Sequence, residues 1–197
     1  MTMTGLLIAF EGLDQSGKQT QAELLRDRLA DRGRSVHLVS FPDYTTGIGA
    51  EIGRALRGER DYAADVMQLL YIANRYERKD EILRHKDAGA VVLCDRYLAS
   101  SVAYGEAQGV DPDWLTDIQR LLPDPDITFL LDIPPAVSAR RKTADRDKYE
   151  RDLALLERVR ESYVRQSKGN GWIPVDADRD REVVAADVFQ GVTTCLR

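Results

Sequence analysis

Leu6-Leu-Ile-Ala-Phe-Glu-Gly-Leu-Asp-Gln-Ser-Gly-Lys-Gln-Thr20 runs from an apolar segment through Gly12-x-x-x-x-Gly17-Lys18 into a helix-like segment. That order is the strand, phosphate loop and helix of a P-loop nucleotide binder. The glycines let backbone N–H groups turn inward around phosphate oxygens. Lys18 is placed to neutralise the β- and γ-phosphates, and the helix N-terminus adds a favourable dipole. One position departs from the pattern: Gln19 stands where Ser or Thr usually contacts Mg²⁺. A Gly-rich turn alone is a weak signal, and its bland reading is a strand-turn-helix connection without a ligand. Here the strand before and the helix after both agree with phosphate binding.

Outward from this stretch, apolar β-rich runs alternate with helical patterns. Strands are predicted at Leu6–Phe10, Ser35–Ser40, Val91–Cys94, Ile127–Leu131 and Trp172–Val175. Helices are predicted at Gln19–Arg32, Gly47–Leu56, Ala64–Lys86, Tyr97–Ala107, Asp113–Leu122, Pro134–Thr143, Tyr149–Ser167 and Glu182–Cys195. Gly33 is a fitting terminator for the first helix, and Val66, Leu69, Leu70 and Ala73 make an apolar stripe on the third. Strands separated by long helices imply an α/β fold, a parallel sheet covered on both faces. The strands read as continuous apolar runs, as fully buried parallel strands do. Ligands on such sheets sit at the carboxyl ends of the strands. The notable residues fall there: Gly12–Lys18, Phe41-Pro42 and Asp95-Arg96.

The chain of 197 residues with 43% hydrophobic content suits a single domain over 1–197. No basic flank with a long apolar run marks a signal peptide, and no window approaches about 20 apolar residues. A cytoplasmic protein is expected, with Cys94 and Cys195 as isolated thiols rather than metal ligands. His37 and His85 are far apart in sequence and offer no metal motif. A net charge of −5 without a basic stripe argues against nucleic-acid binding. Arginines outnumber lysines, 22 to 6. Arg suits planar recognition of phosphates, but codon bias would give the same excess, so individual arginines are weighed by position.

Val91-Val-Leu-Cys-Asp-Arg-Tyr-Leu-Ala-Ser-Ser-Val-Ala-Tyr104 is the second strong signal. A strand ending in Asp-Arg aims one carboxylate and one guanidinium at a phosphate–metal site. With the P-loop, with Phe41-Pro-Asp-Tyr44 and with a later Arg-rich segment, this resembles the thymidylate kinase family. The family pattern of Asp-Arg-Tyr/His, a Ser and Ala-Tyr matches Asp95, Arg96, Tyr97, Ser100, Ala103 and Tyr104, and its Glu-Gly opening matches Glu11-Gly12. Asp147-Lys-Tyr-Glu-Arg-Asp152 resembles the stretch after the family's mobile lid. Val175-Asp-Ala-Asp178 resembles its loop near the adenine base. The resemblance spans nearly the whole chain.

The resemblance implies a P-loop kinase fold with a five-stranded parallel sheet flanked by helices, a homodimer, and Mg²⁺- and ATP-dependent phosphorylation of dTMP to dTDP. By matching positions, Gly12, Leu13, Asp14, Gln15, Ser16, Gly17, Lys18, Gln19 and Thr20 face the ATP phosphates, with Arg140 and Asp178 also on the ATP side. Asp14 also faces the acceptor phosphate and the metal region. Arg96 grips the dTMP phosphate, and Asp95 orients Arg96 or holds water on Mg²⁺. Phe41, Pro42 and Tyr44 line the acceptor site. Tyr71 and Arg75, four apart on one helix face, point into one cavity. There the aromatic stacks on thymine and the Arg bonds a base carbonyl. Arg75 opens the charged run Arg75–Arg84, which alone reads as a solvated face. Ser100 and Ser101 join this site, and Tyr104 crowds a ribose 2′-hydroxyl. Tyr149 lies near the acceptor, and Glu150 near the acceptor and the metal.

The family's lid matches Arg140-Arg-Lys-Thr-Ala-Asp-Arg-Asp-Lys148, within a lid segment around 140–150. Family members carry the catalytic positive charge either in the P-loop or in the lid. Gln15 holds the P-loop position here without charge, so the role falls to Arg146, with Arg141 second. Two alternatives stand beside this reading: another P-loop nucleoside or nucleoside-monophosphate kinase, and a nucleotide-binding protein with weakened catalysis, which only Gln19 favours.

Overall fold

The opening apolar run becomes the middle strand of the sheet. In the computed structural model, which describes residues 5–141 and 152–194, β1 (Leu6–Glu11) lies between β3 (Val91–Asp95) and β4 (Ile127–Asp132). The outer strands are β2 (Val36–Ser40) and β5 (Trp172–Asp176), giving the order β2-β3-β1-β4-β5 with all pairs parallel. The predicted α/β class and five strands match. Four strands run one residue beyond prediction, taking in Glu11, Asp95, Asp132 and Asp176. Pairing holds those acidic ends: Asp95 is in register with both Phe10 and Ser40, and Asp132 with Asp176.

Parallel strands need crossovers, and helices supply them. These are α1 (Lys18–Ala30), α2 (Gly47–Leu56), α3 (Ala64–Glu77), α4 (Lys79–Asp87), α5 (Leu98–Glu106), α6 (Pro112–Asp117), α7 (Pro135–Arg141), α8 (Leu153–Gln166) and α9 (Arg181–Thr193). β1 is buried on both faces, which is why its sequence does not alternate. Ile8 and Phe10 join the cluster that holds Ala22, Leu25 and Leu29 of α1, and Phe10 stacks on Phe129 at 5.4 Å. Leu7 and Ala9 meet Ile82 of α4, Phe41 and Tyr97. Among the described residues no helix is long and apolar enough to cross a membrane.

The predicted single helix over 64–86 is two. The chain leaves helical geometry at Arg78 (φ −103°, ψ 0°). Its guanidinium is tied to Asp43 and Glu81, with Nε 2.6 Å from Asp43 Oδ2. A tertiary partner therefore sets this break. The predicted stripe on α3 also differs, for Val66 and Leu69 are 38% and 45% exposed. The buried face carries Met67 and Ile72 with three polar residues, Gln68, Asn74 and Arg75. The helix expected at 113–122 stops at Asp117, after which Gln119, Arg120 and Leu122 bond three residues back in tighter turns.

Candidate active site

The phosphate loop leaves β1 at Glu11. Gly12 has φ 140°, and a Cβ there would lie 2.5 Å from the Leu131 carbonyl oxygen, so neither conformation nor space admits a side chain. Gly17, at φ 93°, is the N-cap of α1 and offers no side-chain cap. The first N–H groups of α1 therefore have no side-chain capping oxygen, an arrangement that suits an anion. Ser16 Oγ is buried without a hydrogen-bond partner in the same loop. Lys18 is buried, and its Nζ donates to the Leu13 carbonyl at 2.7 Å, folded across the loop. Burial and the nearby Arg96 guanidinium bring its pKa down to about 8, against the pull of the Asp14, Asp95 and Glu11 carboxylates. Gln19 is exposed and bonds Glu23 at 2.9 Å, and Thr20 is exposed one residue on.

Arg96 connects this loop to the second motif. It has φ 63°, a conformation that costs a non-glycine residue roughly 1–2 kcal/mol. Its Nη2 donates to Asp14 Oδ1 at 2.6 Å, and its Nη1 reaches the Gly12 carbonyl and Ser100 Oγ, both at 3.2 Å. Tyr104 donates to the second Asp14 oxygen at 2.8 Å, and its ring lies under the guanidinium. Burial alone would raise the Asp14 carboxyl, but Arg96 and Lys18 outweigh it and hold it well below the usual range. Asp95 differs: burial raises its carboxyl despite Lys18 and Arg96, and its buried Oδ1 has no hydrogen-bond partner.

Beneath Arg96 sits a fully buried carboxylate, Glu11. It accepts from the Tyr97 N–H at 2.9 Å, from Ser100 Oγ at 2.6 Å and from the Tyr163 hydroxyl at 3.2 Å. Ser100 therefore spends its hydroxyl on Glu11 while also touching Arg96.

A cavity of about 400 Å³ opens beside Arg96. Phe41, Pro42, Tyr44, Tyr71, Arg75, Ser100, Ser101 and Tyr104 line it with Asp14, Gln19, Asp95 and Arg96. Arg75 is no solvated residue: it is 3% exposed, donates to Ser101 Oγ at 2.6 Å and lies over the Phe41 ring. Burial lowers its pKa, with Glu11 opposing. Tyr44 is an exposed rim residue. On the other side of the loop, Arg141 bonds the Gln15 carbonyl at 3.1 Å and the Ala177 carbonyl at 3.0 Å, and its Nη2 lies 3.4 Å from Asp178 Oδ1. Arg140 is exposed. Arg146, Tyr149 and Glu150 lie outside the described residues.

Three residues were given no site role by sequence. Glu11 and Tyr163 build the floor under Arg96. Gln68 lines the cavity at 0% exposure, with neither amide atom hydrogen-bonded. The available signal was spacing: Gln68 precedes Tyr71 by three and Arg75 by seven, on one face of α3.

A parallel sheet with an open phosphate loop after its middle strand, and a basic, carboxylate-bearing cavity beside that loop, defines the class of P-loop nucleotide kinases. The thymidylate kinase family model matches residues 10–188. A thymidylate kinase of Schizosaccharomyces pombe is 34% identical over 194 residues, covering 96% of this chain and 92% of the relative. One from Halothermothrix orenii is 35% identical, covering 98% and 99%. The solved structure of a Candida albicans thymidylate kinase superposes with a TM-score of 0.83 at 28% identity, covering 98% of this chain and 92% of that one. The chain belongs to the thymidylate kinase family. Its activity is phosphoryl transfer from ATP to dTMP, giving dTDP and ADP for dTTP synthesis.

Proposed function

We propose that the cavity beside Arg96 is the dTMP site and that the loop of Gly12–Lys18 holds the ATP phosphates, within a single domain. The observation that carries this reading is Arg96 itself, clamped to Asp14 of the phosphate loop while lining the cavity. A guanidinium there binds the acceptor phosphate and aligns it with the donor. Tyr71 and Phe41 supply apolar surface for the base, Arg75 with Ser101 its polar contact, and Tyr104 closes the space beside the sugar's 2′ carbon. Arg141, Arg140 and Asp178 belong to the ATP side, and the segment around 140–150 is assigned the family's lid role. A panel of nucleoside monophosphates with Mg²⁺-ATP tests the assignment: dTMP is expected to outrun UMP, CMP and AMP in kcat/KM. A ribonucleotide in first place overturns the acceptor site, and nucleotide binding without turnover favours the weakened-catalysis reading.

Mg²⁺ fits the donor set. The unpartnered Asp95 Oδ1 is a hard oxygen facing the phosphate loop, whereas both Asp14 oxygens are engaged by Arg96 and Tyr104. Asp95 would hold the ion through water, with Asp14 and Glu150 as the further carboxylates. Bound there, the ion would supply positive charge for the transferring phosphate. Gln19 takes no part in this arrangement, its amide being turned to Glu23. Gln19→Ala is therefore expected to keep most activity and an unchanged Mg²⁺ dependence. Abolished turnover with a shifted Mg²⁺ optimum makes Gln19 a direct ligand.

Lys18 gives ATP binding a pH dependence of known sign. Phosphates bind the charged ammonium, whose pKa in the nucleotide-free protein is about 8. ATP affinity is expected to be flat near pH 7 and to fall above pH 8, and calorimetry in buffers of different ionisation enthalpy should show proton uptake on binding. Affinity that does not change up to about pH 9.5 removes Lys18 from this linkage.

The unpartnered amide of Gln68 supports a contact with the base. Gln68→Met keeps the volume and removes the polar atoms. The KM for dTMP is expected to rise about tenfold, the scale of one hydrogen bond, at constant KM for ATP. An unchanged KM for dTMP makes Gln68 a packing residue.

The assembly proposed is a cytoplasmic homodimer. Its support is the apolar stripe of α3, where Val66 and Leu69 are exposed beside half-buried Leu70 and Ala73. A patch of this kind suits a second copy of the chain. The buried free thiol of Cys94 suits a reducing compartment.

A further inference from the structure

The chain has only two histidines, and the fold brings them together. His37 on the edge strand β2 and His85 on α4 stack face to face, with ring centroids 3.8 Å apart and planes 12° from parallel. Glu81, four residues before His85 on the same helix face, completes the group. One ligating atom from each of the three lies within 4.8 Å of the others.

The hydrogen bonding leaves these atoms available. His37 Nε2 is buried and lies 2.9 Å from Glu81 Oε1, yet it makes no hydrogen bond of acceptable geometry. The other Glu81 oxygen, Oε2, accepts from Arg78 at 2.9 Å, and Arg78 is balanced in turn by Asp43. That leaves Oε1 directed at the histidines. Burial and the facing His85 lower the pKa of His37, against the pull of the Glu81 carboxylate.

We propose that His37, Glu81 and His85 form a binding site for a borderline first-row divalent cation of the zinc type, with water as the fourth ligand. Two imidazoles and a carboxylate are a donor set that suits such ions and not Mg²⁺. Ligands on one zinc at tetrahedral angles stand about 3.4 Å apart, from bond lengths of about 2.0–2.1 Å. The group needs only a modest contraction and a turn of one ring about its soft terminal torsion. His37 lies near the start of β2 and Phe41 just past its end, about 13 Å along the strand, so the site is separate from the phosphate chemistry.

Tag-free, nucleotide-free protein titrated with Zn²⁺ tests this by calorimetry, with Co²⁺ as a spectroscopic probe. One equivalent of Zn²⁺ should bind per chain, and Co²⁺ should give the intense visible bands of a four-coordinate ion. His85→Ala and His37→Phe should each weaken Zn²⁺ binding beyond the about 10- to 100-fold that loss of an outer-shell partner costs. Phe retains the ring stack, and melting curves check that both variants fold. His85→Ala should leave kinase activity with Mg²⁺-ATP unchanged. No Zn²⁺ binding by the wild type, or equal binding by the folded variants, overturns the site.

Discussion

Arg96→Ala is expected to lower kcat/KM for dTMP by about 10²–10³-fold, the range for losing one preorganised donor at a reacting group. The Kd for ATP should change little. The loss should appear in both KM and kcat, because in the proposed reading the guanidinium would both bind the acceptor phosphate and align it. Arg96 bridges Asp14, the Gly12 carbonyl and Ser100, so a structural explanation must be separated from a chemical one. The backbone supplies the control. At φ 63° a glycine is less strained than an arginine, so Arg96→Gly removes the guanidinium while relieving the backbone. Arg96→Lys keeps a charge and loses the fork. If the chemical role holds, Gly and Ala variants lose dTMP turnover alike, and Lys recovers part of the KM but little of the kcat. An equal loss of ATP affinity would place Arg96 on the donor side.

Sequence carried the sheet well because its strands are buried on both faces. Leu6–Phe10 and Val91–Cys94 are unbroken apolar runs, and turn residues bracket them. It failed where the deciding partner is distant. The break at Arg78 has no local signal; it follows from Asp43, thirty-five residues earlier. The stripe of Val66 and Leu69 has core periodicity, but periodicity cannot tell the core from another surface. The site divides the same way. Gly12–Lys18 and Asp95-Arg96 are legible because phosphate chemistry demands those residue types at fixed spacing. Gln68 and Tyr163 are not, because a buried polar residue becomes meaningful only once its partners, or its lack of them, are known. Arg75 shows both limits: its motif position pointed to the base, its charged neighbourhood pointed to solvent, and burial with Ser101 decides for the cavity.

Arg146→Ala is expected to reduce kcat by at least about 10²-fold, a conservative figure beside the 10³–10⁵ that an arginine finger contributes. The argument is one of charge. Phosphoryl transfer spreads negative charge over the equatorial oxygens, and the proposed Lys18 and Mg²⁺ would answer only part of it. Gln15 brings none, being a neutral residue at φ 60° whose carbonyl is already used by Arg141. Arg141 is likewise committed: it joins the Gln15 carbonyl to the Ala177 carbonyl and so braces the phosphate loop against the loop after β5. Its removal should raise the KM for ATP with a smaller loss of kcat. Arg146 lies outside the described residues, and the assignment to it rests on the uncharged Gln15 and on the commitment of Arg141. Nucleotide affinities of Arg146→Ala should stay within a few-fold of wild type, because the contact strengthens in the transition state. Single-turnover rates and nucleotide Kd values for both variants separate the roles. If Arg141→Ala loses the larger part of kcat while Arg146→Ala changes only ATP affinity, the finger is Arg141, and its two backbone contacts must break before transfer.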